Sequence, residues 1–269
     1  MNELIQQILH YTTLPEAAGL LCVIVFMLGE RRRGRMMFWG LSFSVSSCLL
    51  LKEFFKVPRP WWPDVSTAPY LAEGGYALPC LHTMLAAAML SMLALTSGHK
   101  IVRFLCAAGI CITAGWRTAS GLQSIPDVLT GAAAGLAAAF LLCPVSYRRQ
   151  ASDAGNSGAH RSLLIAVQAV ILLAGSAAAV LFHDGWGSGT GLTAILLSIL
   201  EKPFRKAETG RTAFGKIYGT LFAAGIYTGL IIFLPFLVEW LITPLWPGQT
   251  LIVLTVTLVP CLLRLFPIF

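Results

Sequence analysis

Charge is scarce in this sequence. Only 12% of its 269 residues are Asp, Glu, Lys or Arg, against about a quarter in ordinary soluble domains. That scarcity, with 57% hydrophobic residues and a mean hydropathy of +0.76, excludes a soluble multidomain enzyme. A basic n-region followed by a cleavage site is also missing from the start, so the first apolar run is expected to be a real span rather than a removed signal peptide. No basic, aromatic-interleaved soluble stretch is present, so the net charge of +7 does not point to nucleic acid. Cysteine is present but not patterned. Cys22, Cys48, Cys106, Cys111, Cys143 and Cys261 sit inside apolar runs, where a thiol behaves as a small hydrophobe. With Cys80 the number is odd and the spacings fit no metal-ligand pattern. No disulfide framework, metal site or cofactor is expected.

What is abundant is long apolar sequence. Runs fall at 14–28, 36–51, 77–97, 101–116, 126–145, 163–182, 191–200, 217–240 and 251–269. In hydrocarbon the backbone must satisfy its own hydrogen bonds, so runs of about 20 apolar residues read as spanning helices. The expected class is an all-α, polytopic membrane helical bundle. Run 191–200 is short for a span, but charge argues that it crosses. With Arg31, Arg32, Arg33 and Arg35 on the cytoplasmic side and alternation at each span, that side also receives Lys100, Arg103, Arg148, Arg149, Arg161, Lys202, Arg205, Lys206, Arg211 and Lys216. These are most of the 19 basic residues, as the positive-inside rule asks. A Gly-, Ser-, Asp- and Asn-rich stretch divides the chain. The expected organisation is front helices 1–146, a cytoplasmic linker 147–162, and C-terminal helices 163–269 that complete and extend the bundle.

Four basic residues fall on the outer side against that rule: Lys52, Lys56, Arg59 and Arg117. Snorkelling at helix ends explains such charges one at a time. A bound anion explains several together, close to a His and an Asp. Three stretches carry the chemistry. In Lys52–Pro60, Pro58 and Pro60 end a helix and leave Arg59 able to fold back; Lys offers a compact charge and Arg a planar fork suited to phosphate oxygens. In Pro79–His82, His82 opens a span, where helix N–H groups favour an anion and an imidazole can hand a proton to a leaving oxygen; an ordinary interfacial His is the plain alternative. In Arg117–Asp127, Arg117 closes one span and Asp127 opens the next, just after Pro126. Asp127 either complements the helix dipole or orients the side chain four residues back, Gln123. Gly131 and Gly135 form a small-xxx-small pair, expected to mark a close helix contact. Trp61, Trp62, Tyr70, Trp240 and Trp246 suit an interfacial belt. His10, His99, His160 and His183 belong to no constellation.

Taken together the three stretches resemble the type 2 phosphatidic acid phosphatase family, which shares its site with vanadium haloperoxidases. The family's pattern is Lys, six residues, Arg-Pro; then Pro-Ser-Gly-His; then Ser-Arg, five residues, His, three residues, Asp. Here Lys52, Arg59, Pro60, Pro79, His82, Arg117 and Asp127 fit at the required spacings. Gly121 and Asp127-Val-Leu-Thr-Gly131 also look like the family. The likeness covers about 45–145 and implies a six-helix core, with about three further C-terminal spans appended. It implies phosphate holding by Lys52, Arg59 and Arg117, leaving-group protonation by His82, and an orienting role for Asp127.

The departures fall on the chemistry. Gln123 stands where the family has its nucleophilic His, Cys80-Leu81 replace Ser-Gly, and Trp116 replaces the Ser before Arg. The lone pair of an amide nitrogen is delocalised, so Gln cannot replace imidazole as a nucleophile. Cys80, beside the anion site at an expected helix N-terminus, is the remaining candidate nucleophile; a small interfacial residue is the simpler account. The leading expectation is a protein that binds a lipid phosphate headgroup at the outer face of the plasma (inner) membrane with weakened or lost hydrolysis. The alternatives are an active polyprenyl or glycerolipid phosphate phosphatase using an altered site, and a transporter or accessory scaffold. Contacts with a second copy or another membrane protein are expected to run through 163–269.

Overall fold

The computed structural model describes residues 14–28, 31–63, 75–147, 193, 196, 220–228, 230 and 246–262. Among them every regular element is a helix and none is a strand. The longer helices are α1 (Pro15–Met27), α2 (Arg31–Phe55), α3 (Leu81–Thr96), α4 (Lys100–Ala119), α5 (Ile125–Tyr147) and α6 (Trp246–Leu262). Three stretches are long and apolar enough to cross a membrane: Arg33–Phe55, Lys100–Ala119 and Ile125–Cys143. The chain is an all-α membrane protein, as its hydropathy requires. The apolar runs at 14–28, 36–51, 77–97, 101–116 and 126–145 coincide with α1 to α5. Run 163–182 and the linker beyond residue 147 lie outside the described residues, as do most of 191–200 and parts of 217–240 and 251–269.

The sidedness of the helices explains why these sequences belong in lipid. On α4, Ile101, Phe104, Leu105 and Ile112 are exposed, while the buried residues are Cys106, Thr113, Trp116 and Arg117. A helix in water turns its apolar stripe inward. Here the polar groups are inside and the apolar ones outside, which suits hydrocarbon. On α5, Ile125, Leu129, Phe140 and Leu141 are likewise exposed.

The described residues fall into two compact units, one within Met1–Ala18 and Phe43–Val167, the other within Gly19–Ser42 and Gln168–Phe269. In the first, α3 packs extensively against α5 and also against α4, while α4 touches α5 more lightly. The α3–α5 seam is close because Gly131 and Gly135 lie on it. A Cβ on Gly131 would stand 2.5 Å from the carbonyl oxygen of Cys80, and one on Gly135 would overlap that of Met84. The close helix contact expected of this pair is present. In the second unit, Gly34 has no room for a Cβ against the backbone of Phe26, which lets α1 and the start of α2 approach. There too Thr193 and Thr257, both fully buried, share a 2.5 Å hydrogen bond between hydroxyls.

Candidate functional site

The three stretches meet at one end of the first unit, where α2 and α4 finish and α3 and α5 begin. Each is turned by a local device. The end of α2 is closed by Lys56, whose φ of 48° is left-handed and whose N–H still reaches the carbonyl of Lys52 at 2.9 Å. A non-glycine residue there costs about 1 kcal/mol. The chain then runs alongside 75–77: Ala77 N–H donates to Val57 at 2.9 Å, and the rings of Trp62 and Tyr76 pack 5.8 Å apart. Helix α4 ends through Gly121, at φ 72°, where a side chain would be strained.

Arg59 folds back, as Pro58 and Pro60 suggested, and is almost wholly buried. Its Nε donates to the carbonyl of Gly75 at 2.9 Å. Gln123, also buried, supplies the next contact. With its amide turned so that nitrogen meets acceptors, Oε1 accepts from Arg59 Nη1 at 3.0 Å. Its Nε2 then donates to the Ala77 carbonyl at 3.0 Å and to Asp127 Oδ2 at 3.2 Å. The amide orientation follows from this network, since the opposite one sets like against like.

Asp127 does both things its position allowed. It lies in the first turn of α5, and its Oδ2 accepts from Ser124 N–H at 2.8 Å and from Ser124 Oγ at 2.6 Å. The Asp127 N–H faces Ser124 Oγ at 3.5 Å. This is a capping box, in which the residue before the helix and the third residue within it satisfy each other. It also makes Ile125 the first helical residue, with Pro126 second and Asp127 third. The same carboxylate holds Gln123, the residue four back. Ser124 was not singled out from sequence, although Ser124-Ile125-Pro126-Asp127 is the plain signature of such a box.

His82 and Arg117 form the second pair. Both are buried, and Arg117 Nη2 lies in hydrogen-bonding contact with His82 Nδ1 and 3.4 Å from Nε2. A guanidinium has no acceptor, so Arg117 is the donor in this pair. Arg117 also lies over the Trp116 ring at 5.3 Å. Trp116, where the family pattern has Ser, therefore packs against the arginine. Backbone bonds tie the pairs together: Gln123 N–H donates to the Arg117 carbonyl at 3.3 Å, and Cys80 N–H donates to the Asp127 carbonyl at 3.0 Å.

Cys80 is the residue before α3, as expected, and is fully buried. Its sulfur accepts from Thr83 Oγ1 at 3.3 Å. Lys52 is half-buried in the last turn of α2. Among the described residues no hydrogen bond or ion pair joins it to Arg59, His82, Arg117, Gln123 or Asp127. The structure thus gathers Arg59, His82, Arg117, Gln123 and Asp127 and leaves Lys52 unconnected to them. Of these named groups, two guanidiniums stand against one carboxylate, so the assembly is net positive and suited to an anion.

Residues 33–151 match the family model described as PAP2 superfamily. No curated protein and no solved structure matches the chain.

Proposed function

We propose, from the premise that residues 33–151 belong to the PAP2 superfamily, a lipid-phosphatase-like family, that this protein binds the phosphate headgroup of a membrane lipid and has lost most or all of the hydrolysis. The observation that carries the reading is the meeting of Arg59, His82, Arg117 and Asp127, drawn from three separate stretches, at one end of a helical membrane unit. Guanidiniums buried out of water, as those of Arg59 and Arg117 are, strengthen any hydrogen bond to a phosphate oxygen. The loss of hydrolysis is argued from Gln123, which stands among these groups as an amide. In the best-studied protease, removing the nucleophile costs roughly a millionfold in kcat. The positive-inside distribution supports placing this end on the extracytoplasmic face of the plasma membrane.

A lipid phosphatase working by an altered route is the second reading, and Cys80 is the residue that favours it. Its thiol lies two residues before His82, but its sulfur is buried and faces Thr83. The experiment that separates the readings uses purified full-length protein in detergent with phosphatidic acid. Binding without phosphate release, weakened by added salt and by Arg117→Ala, supports the headgroup reading. Phosphate release lost in His82→Ala supports the enzyme. Absence of both overturns both and leaves a scaffold or transporter.

A further inference from the structure

Taking the headgroup-binding reading as given, we infer that Gln123 is a specificity-determining residue that occupies the anion's place on Arg59, so that Arg59 grips a phosphate only when Gln123 is displaced. A guanidinium binds an oxyanion through one of two bidentate faces, the side formed by Nε with one Nη and the end formed by the two Nη groups. In this structure Nε is spent on the Gly75 carbonyl at 2.9 Å and Nη1 on Gln123 Oε1 at 3.0 Å. Each face therefore has a donor engaged. A phosphate oxygen competing for Nη1 would have to replace an amide oxygen already seated at hydrogen-bond distance.

The seat is well defended, because Gln123 is held from three directions. Its Nε2 is fixed by Ala77 O and Asp127 Oδ2, its Oε1 by Arg59, and its own backbone N–H by the Arg117 carbonyl. Asp127 in turn is fixed by the cap of α5. An imidazole at 123 has one hydrogen-bonding atom on each of two sides and cannot make all three side-chain contacts at once. The amide is thus the residue that lets position 123 join Arg59, Ala77 and Asp127 into one network. Anion capture then falls first on the Arg117–His82 pair, with Arg59 joining as a reserve.

Equilibrium binding to detergent-purified full-length protein tests this, with phosphatidic acid in mixed micelles and inorganic phosphate as the two probes. Gln123→Met keeps the side-chain length and removes the amide; Gln123→Ala removes both. Either is expected to tighten binding about tenfold, the effect of one additional charge-assisted hydrogen bond. In the Gln123→Met background, Arg59→Gln is expected to weaken binding about tenfold and so cancel the gain, because the freed guanidinium is what makes it. Tightening for either probe supports the inference, and the probe that shows it separates a lipid headgroup from free phosphate. Affinity that is unchanged or weaker when Gln123 is replaced in folded protein overturns it. So does an Arg59→Gln change that costs nothing in the Gln123→Met background. If no variant, wild type included, binds either probe, the headgroup reading itself fails.

Discussion

Gly135→Ala probes the packing that positions everything else. The added Cβ would overlap the Met84 carbonyl oxygen and lie 2.8 Å from Ala87 Cβ and 2.9 Å from Ala88 N. Two of these three atoms are backbone, so no side-chain rotation relieves the clash. An ordinary carbon–oxygen approach is about 3.3 Å, so α3 and α5 must separate by about 1 Å. Overpacking of this kind costs about 1–3 kcal/mol, and the upper end applies where backbone meets backbone. Ala gains about 1 kcal/mol over Gly in helix propensity. The net expectation is a loss of about 2 kcal/mol, or roughly 6 °C in Tm for a chain of this size. Gly115→Ala is the control, because a Cβ there meets nothing within 4 Å. It should keep the propensity gain and raise Tm by about 3 °C. Thermal unfolding in one detergent, followed by loss of the folded species, reads both. The reasoning fails if Gly135→Ala is as stable as Gly115→Ala, since only the α3–α5 contact separates the two sites. The separation should also disturb the Cys80–Asp127 bond, so phosphatidic acid binding should weaken in Gly135→Ala and not in Gly115→Ala.

Ser124→Ala removes the side-chain half of the cap on α5 and should lower stability by about 1 kcal/mol; an unchanged Tm would mean the box contributes nothing. Gln123→His sets an imidazole where Asp127 Oδ2 and Arg59 Nη1 now lie 3.2 and 3.0 Å from the amide, and phosphate release from phosphatidic acid should become measurable. If none appears, Cys80-Leu81 or Trp116 has also altered the pocket. Thr257→Val deletes the buried hydroxyl pair with Thr193 and should cost about 1 kcal/mol in thermal stability, with phosphatidic acid binding unchanged.

The sequence by itself determined the class and the cast. Apolar runs fix helices in lipid because hydrocarbon leaves a backbone no other partner, so α1 to α5 were legible from hydropathy. Basic charge on the unexpected side, and the resemblance of three short motifs to the family's pattern, named Arg59, His82, Arg117 and Asp127. Gly131 and Gly135 announced a close contact through their size alone, though not that the carbonyls of Cys80 and Met84 fill it. Only the tertiary structure decided what the side chains hold. That Gln123 would also join Arg59 and Ala77, that Arg117 would lie against His82, and that Lys52 would make no hydrogen bond or ion pair to them were not readable. Each depends on where helix ends far apart in the chain come to rest. A hydrogen bond is won or lost over a few tenths of an ångström, and hydropathy and spacing specify position only to within a turn of helix.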